Sequence, residues 1–435
     1  MKSRNSNGNI FPVGPGWKTL AAFAAVLAGA VISFARISPV AQGTVWAEDG
    51  AVFIYDALRR PGPLDIFAPY QGYLHVVPRM TVSLVVLLFP VDSFAVAISF
   101  LSCLVIALIA LMVFHCSRAL TSHVLIRLAW ASIAVLVAPG PLETQGNLAN
   151  IHWYLLWLMP WLLIKPAQTK REGVLLFSAA VLSSLTEILT LMFIPLFLYR
   201  FKDKSFWPAR LGLVVGVLCQ IITTLSYPRS VPYQPPNLVS VVEGWFLNSS
   251  SAVIYGTSAQ ISRNIVNFGM APIVVAALPF FLTFVYLLIK GTREVRLMAF
   301  CFVAASAGVW AAATILNFSD AFDYSSFDAG EWDSFLLGRY STVPSMFLLA
   351  LLPLLAMCWE KVSTAAMSGV LAGFLVLQVL YFFPSAAFRQ SGPLWASGVA
   401  AAREACISDP ALTDHAVGTA PGAWKVQVPC DHLRP

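Results

Sequence analysis

The chain is built from long apolar runs that are separated by short polar stretches. Each run has roughly the twenty residues that an α-helix needs to cross the hydrocarbon core of a bilayer. Because a segment inside a bilayer must satisfy its own backbone hydrogen bonds, these runs predict helices. The pattern therefore predicts an all-α polytopic membrane protein with about eleven transmembrane helices: 19–35, 93–115, 124–138, a fourth that ends at Lys165, two short helices within 173–199, 211–226, 268–289, 297–316, 339–357 and 363–383.

The segment 74–89 is the hardest to place. It is apolar enough to cross the membrane, yet His75, Arg79 and Ser83 recur every four residues and so share one helical face. We expect a helix that lies at the outer interface, within a first external loop covering residues 36–92. If the segment crosses instead, the orientation of residues 116–172 inverts, and the sequence leaves that alternative open.

The basic residues set the orientation. Three of them lie in the first eighteen residues, which places that end in the cytoplasm. The eleven-helix topology then puts 16 Lys and Arg residues inside and 11 outside. In this topology residues 1–18 form a cytoplasmic N-terminus, 19–383 the transmembrane domain and 384–435 an external C-terminal tail.

Composition supports the same class of protein. Hydrophobic residues make up 58% of the chain and charged residues 11%, which excludes an ordinary soluble globular domain. The formal net charge of +6 comes largely from basic residues in short loops, where they set orientation, so we predict no nucleic-acid partner. The lipid bilayer is the first partner that the sequence predicts.

The seven cysteines fall into two groups. Cys406 and Cys430 lie alone in the polar tail, and if that tail is outside the cytoplasm we expect them to form a disulfide. Two unrelated thiols are the alternative. The others lie in or beside apolar segments, where we expect inert, buried side chains: Cys103, Cys116, Cys219, Cys301 and Cys358.

Two adjacent carboxylates, Glu48 and Asp49, follow the first span. An ionisable group near a bilayer costs on the order of several kcal/mol unless it is paired or used. The pair is therefore a candidate general base or metal ligand. Asp49 also precedes Gly50 and an apolar-periodic run to Leu58, which is typical of a helix N-cap. One side chain can serve both roles.

Other polar residues on the predicted external side could contact a substrate. His75 and Arg79 could hold an anionic group such as phosphate, with interfacial snorkelling as the alternative. Glu143, Asn147 and Asn150 stand at i, i+4 and i+7, so on a helix they would share one face. Ordinary polar turns have the same composition.

Three more positions complete the candidate set. His152 follows closely on the Glu143–Asn150 cluster, and Glu187 lies at the predicted tip between two short helices. Broken helices are tolerated at membrane depth where they line a wet cavity. Arg339, in Gly338-Arg339-Tyr340, opens the next span, and a guanidinium at a helix mouth could bind phosphate bidentately.

The loop 317–337 is strongly acidic, with five carboxylates between Asp320 and Asp333. Its spacing does not match a calcium loop of the helix–loop–helix type, so a solvated loop is favoured over a metal site. The chain also has no phosphate-cradling glycine loop, zinc spacing or serine-elbow motif. ATP-driven and soluble-type hydrolytic chemistry are therefore disfavoured.

Four motifs together resemble bacterial membrane glycosyltransferases of the GT-C superfamily: Trp46-Ala-Glu48-Asp49-Gly50, Pro69-Tyr-Gln-Gly-Tyr73-Leu-His75-Val-Val-Pro78-Arg79, Asn147-Leu-Ala-Asn150-Ile-His152-Trp153 and Gly338-Arg339-Tyr340. The resemblance covers most of the chain in layout, through short motifs. It implies a GT-C-like fold, a polyprenyl-phosphate sugar donor, an acidic base in or near the first external loop, and a following basic residue that holds the donor phosphate.

Carried over residue by residue, the resemblance implies Asp49 as the first choice of catalytic base and Glu48 as the second, with Glu143 as an acid from the next external loop. It implies Arg79, and then Arg339, as donor-phosphate ligands. Together with the candidates taken from the residues themselves, the predicted donor-phosphate ligands are Arg79, His75 and Arg339, and the predicted substrate contacts are Tyr73, Asn147, Asn150, His152, Glu187 and Tyr340. The Glu-Asp order replaces the Asp-Glu order common in the mannosyl- and aminoarabinosyltransferase branches. It leaves open which carboxylate acts and whether a divalent cation, Mg²⁺ or Mn²⁺, is needed.

We therefore expect an inverting glycosyltransferase at the periplasmic face of a bacterial inner membrane. Its acceptor would be an external hydroxyl of a lipid-linked glycan, a cell-wall polymer or a protein. An O-antigen-type polymerase or ligase is one alternative, although such enzymes would rest more on arginine-rich external loops. A transporter or flippase for lipid-linked sugars is another, and it would need charged residues at the bilayer midplane.

Overall fold

The computed structural model describes residues 15–434 apart from 61, 63, 230–233 and 384–387, and it describes no side chains for 15–18. Most of the predicted cytoplasmic N-terminus, residues 1–14, lies outside the described residues, as do 384–387 and 435 of the predicted tail. The described chain is mostly helical, as the apolar runs predict.

Six of the described helices are long and apolar enough to cross a membrane: Val91–Ala119, Val124–Glu143, Lys204–Ser226, Ala271–Lys290, Arg293–Leu316 and Arg339–Trp359. They coincide with six of the eleven predicted crossings. Five shorter apolar helices accompany them: Thr19–Ala35, Val76–Leu88, Ile151–Ile164, Ile188–Leu198 and Thr364–Val379. The chain therefore has the character of a helical membrane protein, with six candidate spans.

The individual elements have the following bounds. The α-helices are Pro15–Ala35, Pro39–Gln42, Tyr55–Arg59, Val76–Leu88, Phe94–Cys116, Val124–Leu136, Gly140–Glu143, Ile151–Ile164, Lys170–Ser184, Trp207–Ser226, Leu238–Phe246, Ala252–Tyr255, Ser258–Phe268, Ala271–Lys290, Arg293–Leu316, Ala329–Asp333, Thr342–Leu349, Leu351–Trp359, Thr364–Val379 and Trp395–Ser408. Two π-helical segments are Asp49–Ile54 and Leu247–Ser251. The 3₁₀ segments are Asp65–Phe67, Val91–Ser93, Ser117–Ala119, Ile188–Leu198, Lys204–Phe206, Asp320–Phe322, Tyr324–Ser326, Arg339–Ser341 and Cys430–His432.

The helix Ile151–Ile164 runs through the centre of the main hydrophobic core, and every one of its residues is buried. A helix that is apolar on all sides must be surrounded on all sides, which explains why it shows no polar face. Trp157 packs against Phe347 with ring centroids 5.3 Å apart, and Trp161 packs against Phe302 at 5.5 Å. The fully enclosed helix fixes the polar residues at its N-terminal end.

The apolar run 173–199 is broken, as predicted. The helix Lys170–Ser184 ends before Glu187, and a 3₁₀ segment then covers Ile188–Leu198. Glu187 caps that segment, because its Oε1 accepts the backbone N–H of Leu189 at 2.7 Å. The break places a carboxylate at the tip between two apolar elements.

The helix Val76–Leu88 corresponds to the predicted interfacial helix. Its thirteen residues span about 20 Å, less than the roughly 30 Å of a bilayer's hydrocarbon core. One face packs on the π-helix Asp49–Ile54 and on neighbouring elements of the loop that the sequence predicts to be the first external loop. The short length agrees with the interfacial placement, which stays a prediction.

The tail folds into a helix and a hairpin. The helix Trp395–Ser408 is followed by strands Asp414–Gly418 and Lys425–Pro429, which pair antiparallel. This hairpin departs from the all-α expectation. Cys406 and Cys430, the two cysteines expected to pair, are joined by a disulfide that ties the helix to the end of the hairpin.

The tail helix is anchored to the first external loop at both ends of that loop. The backbone N–H of Trp395 donates to the carbonyl of Gly43 at 2.9 Å. Arg403 forms a bidentate pair with Asp92, at 3.1 and 2.6 Å. The two regions also share one hydrophobic cluster. Segments that are distant in sequence therefore pack together as one unit.

Gly50 marks where the hairpin approaches the first loop most closely. A Cβ at this position would lie 2.7 Å from Cγ2 of Thr419 and from Cγ2 of Val426, so a larger residue would collide with the hairpin. The backbone N–H of Ala420 donates to the carbonyl of Val45 at 3.0 Å. The hairpin thus holds the segment that carries the predicted acidic pair.

Candidate active site

A cavity of about 660 Å³ is lined by residues of the loop 36–92, by the ends of several helices and by the tail hairpin. Its volume falls in the range of small-molecule sites, roughly 300–1,000 Å³. Eight of the twelve residues predicted to act in catalysis or to bind substrate line this one cavity: Glu48, Tyr73, His75, Asn150, His152, Glu187, Arg339 and Tyr340. The other four are not part of its lining: Asp49, Arg79, Glu143 and Asn147.

Arg339 lies between two carboxylates. Its Nη1 is 3.8 Å from Oε1 of Glu48 and 3.7 Å from Oε1 of Glu143. Buried Glu143 also accepts the backbone N–H of Arg339 through Oε2, at 2.6 Å. Both side-chain distances exceed that of a direct hydrogen bond. The backbone contact therefore fixes Arg339 in place, while its guanidinium can turn toward an anion in the cavity.

Glu48, rather than Asp49, presents its carboxylate to the cavity. Its side chain is 20% exposed. The oxygen Oε2 is buried and has no hydrogen-bond partner within the described part of the chain. Because an unsatisfied buried polar atom is costly, such an oxygen marks a position where a ligand hydroxyl could donate.

Asp49, the first choice of base, has a structural position. Its side chain is fully buried, and its two oxygens accept the backbone N–H groups of Leu148 at 2.9 Å and Ala149 at 2.7 Å. The predicted N-cap role is also wrong, because the carboxylate crosses to this distant loop instead of capping its own helix. We therefore do not keep Asp49 as the base.

Asp49 should make stability depend on pH. Burial raises the pKa of its carboxyl to about 7, with Glu48 acting in the same direction and the two backbone N–H groups and Arg389 in the opposite one. In the unfolded chain the carboxyl titrates near its ordinary pKa of about 4. The folded state therefore holds the proton more tightly, and the stability that Asp49 contributes is present below about pH 4 and lost as pH rises toward 7.

Thermal unfolding of the wild type and of Asp49→Asn at several pH values tests whether Asp49 makes the stability depend on pH. Asn cannot titrate, and its amide leaves one backbone N–H without an acceptor, at a cost of about 1–3 kcal/mol. The Tm advantage of the wild type over the variant is expected to shrink as pH rises from 4 to 7. A Tm gap that is constant or grows with pH would show that the folded carboxyl is ionised throughout.

Arg79, the first choice of phosphate ligand, is already neutralised. It is 2% exposed, and its Nη1 lies 3.0 Å from Oδ2 of Asp56 and 3.4 Å from Oδ2 of Asp65. Its guanidinium also lies over the ring of Phe53, 5.3 Å from the centroid. Because Arg79 is paired twice and does not line the cavity, we do not keep it as a phosphate ligand.

His75 lines the cavity as a neutral side chain. Burial lowers the pKa of its imidazole to about 3, and nearby His152 and Arg79 act in the same direction. Its Nε2 lies 3.3 Å from the carbonyl of Tyr70, so Nε2 is the nitrogen that carries the hydrogen. Nδ1 is then an acceptor, and it is buried without a partner among the described residues. An acceptor suits a sugar hydroxyl and not a phosphate, so the phosphate-binding role of His75 is not kept.

His152 and Glu187 form a hydrogen-bonded pair in the cavity wall. Nδ1 of His152 contacts Oε2 of Glu187, whose other oxygen caps the following 3₁₀ segment. A carboxylate at Nδ1 fixes the orientation and tautomer of an imidazole. The pair therefore leaves Nε2 of His152 as the atom that can contact a ligand.

Residues 143–150 form a turn, so the predicted shared helical face is wrong. The preceding helix stops at Glu143. Asn147 accepts from the backbone N–H and side-chain Nδ2 of Asn150 through Oδ1, at 2.9 and 3.0 Å, and donates to the carbonyl of Glu143. Asn147 thus holds the turn, and Asn150 reaches the cavity.

Eight polar or aromatic residues outside the predicted set also line the cavity: Phe53, Tyr70, Gln71, Trp153, Thr224, Arg229, Asn317 and Trp424. Tyr70 lies within one of the motifs that carried the family resemblance. Arg229 is a basic residue in the predicted external loop that follows the span ending near 226. Trp424 comes from the tail hairpin, and no local pattern links it to the first loop.

The geometry does not favour a divalent cation. Among the described residues, no group of three or more His, Cys, Asp or Glu side chains is placed to hold a metal. Glu48 and Glu143, the two carboxylates beside the cavity that could share an ion, have the Arg339 guanidinium between them. The cation at this position is a side chain, so these residues do not fit a Mg²⁺ or Mn²⁺ site.

Comparison with known proteins adds no relative: no family model, no curated protein and no solved structure matches the chain.

Proposed function

We propose that this protein is a membrane glycosyltransferase that moves a sugar from a polyprenyl-phosphate donor to a hydroxyl of an external acceptor. One observation carries the proposal: Glu48 and Arg339 lie 3.8 Å apart in a cavity that also has an apolar wall. A transfer of this kind needs a base for the acceptor, a cation for the leaving phosphate and an apolar path for the lipid. All three are present in one cavity.

The apolar wall gives the donor lipid a route from the bilayer. Leu316 ends the candidate span Arg293–Leu316, and 66% of its side chain is exposed. The wall therefore continues from the cavity to the outer surface of the span, where a polyprenyl chain would lie in hydrocarbon. Its members are Ile188, Leu189, Ala312, Ala313 and Leu316.

In the proposed reaction, Glu48 takes the proton from the acceptor hydroxyl. The hydroxyl oxygen bonds to the anomeric carbon as the bond between that carbon and the phosphate oxygen breaks. Polyprenyl phosphate leaves with the bonding electron pair, and Arg339 and Arg229 neutralise its charge. Because this single displacement uses no enzyme nucleophile, the anomeric configuration inverts.

Arg339 couples donor binding to the base. Without donor, its guanidinium stands near both Glu48 and Glu143. A donor phosphate offers a stronger, bidentate partner, so the guanidinium turns toward it and releases Glu48. The carboxylate is then free to accept a proton at the moment when the donor is in place.

We further propose the eleven-crossing topology in a bacterial inner membrane, with the N-terminus cytoplasmic and the cavity on the periplasmic side. The tail supports this, because its disulfide suits an oxidising compartment and its Trp424 lines the cavity. The cavity and the disulfide therefore belong to the same side of the membrane.

Photocrosslinking tests the lipid route. A polyprenyl phosphate with a diazirine near its first isoprene unit is expected to label peptides containing 188–189 and 312–316. Leu316→Trp should reduce that labelling roughly tenfold by blocking the wall. The matched control is Leu225→Trp, an exposed leucine one residue before the end of the candidate span Lys204–Ser226 that does not line the cavity. Equal labelling of both variants and the wild type would contradict the route.

A further inference from the structure

The tail hairpin supplies an aromatic wall to the cavity. Trp424 directly precedes the strand Lys425–Pro429 and lines the cavity, with 39% of its side chain exposed. Its carbonyl accepts the backbone N–H of Thr419 at 2.9 Å, which closes the hairpin turn. The indole is therefore held by a closed turn and keeps surface that a ligand could cover.

The hairpin turn that carries Trp424 is held in place by packing, backbone pairing and a disulfide. Three buried valines of the hairpin, Val417, Val426 and Val428, belong to the same hydrophobic cluster as Phe53 of the first loop. Backbone pairing joins the hairpin to Val45, and the Cys406–Cys430 disulfide closes the tail. Trp424 is thereby fixed relative to the segment that carries Glu48, although nearly the whole chain separates them.

Unsatisfied polar atoms accompany this aromatic surface. Within the described chain, three residues of the cavity lining each have a buried polar atom without a hydrogen-bond partner: Oε2 of Glu48, Nδ1 of His75 and the indole Nε1 of Trp153. Two of these are acceptors and one is a donor. A ligand with several hydroxyl groups, each able to donate and accept, satisfies both kinds.

The aromatic surface of Trp424 and the unpartnered polar atoms together match the chemistry of a pyranose ring. Its hydroxyls point outward around the edge, and its C–H groups form apolar faces. An aromatic ring carries negative charge on its face, so weakly positive C–H groups pack favourably on it. A flat aromatic surface together with unpartnered donors and acceptors therefore recognises a sugar better than a lipid tail or a bare anion.

We propose that Trp424 is the stacking platform for a pyranose ring of the acceptor. The tail hairpin is part of none of the candidate spans found in the described chain, whereas the apolar wall that would take the donor lipid includes Ala312, Ala313 and Leu316 of candidate span Arg293–Leu316. The acceptor thus enters past the hairpin and the donor from the bilayer. The assignment to the acceptor, as opposed to any other sugar, rests on the proposed transferase function.

Steady-state kinetics separates the two substrates. Trp424→Ala and Trp424→Leu are expected to raise the acceptor KM roughly threefold to tenfold and leave the donor KM unchanged, since Leu replaces bulk but not the aromatic face. Trp424→Phe should stay close to the wild type. Lys425→Ala, the exposed neighbour, is the control with unchanged kinetics. A rise confined to the donor KM, or no rise for any Trp424 variant, would overturn the proposal.

A binding measurement keeps the test independent of catalysis. Saturation-transfer NMR on protein in lipid nanodiscs, free of sugar-based detergent, would use methyl glycosides of glucose, galactose, mannose and N-acetylglucosamine as probes. Ring-proton signals are expected from at least one glycoside with the wild type and Trp424→Phe, and their loss with Trp424→Ala. Equal signals from Trp424→Ala and the wild type would overturn the platform, even if transfer is observed. Trp424-dependent signals without any transfer would uphold the sugar site and reject the transferase.

Discussion

Glu48→Gln is expected to lower kcat by roughly 10²–10⁴-fold, the usual contribution of a general base. Gln has nearly the same shape as Glu but cannot take a proton from the acceptor hydroxyl. Folding should change little, because Glu48 is partly exposed and lies 3.8 Å from its charged partner Arg339. Transfer of radiolabelled sugar from a polyprenyl-phosphate donor measures kcat, and the donor KM is expected to stay within a few fold of the wild type.

Glu404→Gln makes the same chemical change at an exposed position of the tail helix Trp395–Ser408 and serves as the control. It should retain wild-type turnover. If Glu48→Gln also retains it, Glu48 is not the base, and the His152–Glu187 pair becomes the proton acceptor to examine in the same cavity.

Arg339→Gln is expected to lower kcat by roughly 10²–10³-fold, because the leaving phosphate loses a cation that would neutralise its charge. The donor KM should rise as well, since the same guanidinium would hold the donor before reaction. Arg339→Lys should recover part of the activity, as it keeps the charge but loses the bidentate fork. Arg263→Gln, exposed on the helix Ser258–Phe268, is the control.

A double variant separates catalysis from charge balance. Arg339→Gln leaves the buried Glu143 carboxylate without its cation, which should lower the Tm. Adding Glu143→Gln removes that unpaired charge, and its amide oxygen can still accept the backbone N–H of residue 339. The double variant should regain Tm without regaining turnover. Recovery of both would reduce Arg339 to a structural counter-ion.

Much of the candidate site could be predicted from local patterns. Polar residues in an apolar chain are few, and those at the predicted outer ends of spans were expected to lie on one side. Glu48, His152, Glu187 and Arg339 stand far apart in sequence and line one cavity. The short helix Val76–Leu88 and the break before Ile188 also follow from residue spacing.

The errors have one physical cause. Glu48 and Asp49 are neighbours, but successive residues of a helical turn point in different directions, and one carboxylate faces the cavity while the other satisfies a distant loop. Arg79 was expected to face a phosphate, and it instead pairs with Asp56 and Asp65. Hydrogen-bond and ion-pair partners that come together only in the tertiary fold leave no periodic signal in the sequence.

The docking of the tail is another tertiary contact that local sequence patterns do not predict. Its disulfide could be expected from two isolated cysteines, but its docking could not. Gly50 is a local trace of that docking, but a glycine after an acidic pair is equally well explained as a flexible position. The close approach of Thr419 and Val426 to Gly50 explains the residue only once the fold is known.

The most direct test of the central claim is turnover of a panel of polyprenyl-phosphate sugars by the purified protein in nanodiscs. For at least one donor, the proposed function predicts equal amounts of free polyprenyl phosphate and of sugar joined to acceptor, with the anomeric configuration inverted. If no donor in the panel is consumed while the protein moves intact lipid-linked sugar across a vesicle membrane, the transferase is contradicted and the cavity belongs to a flippase.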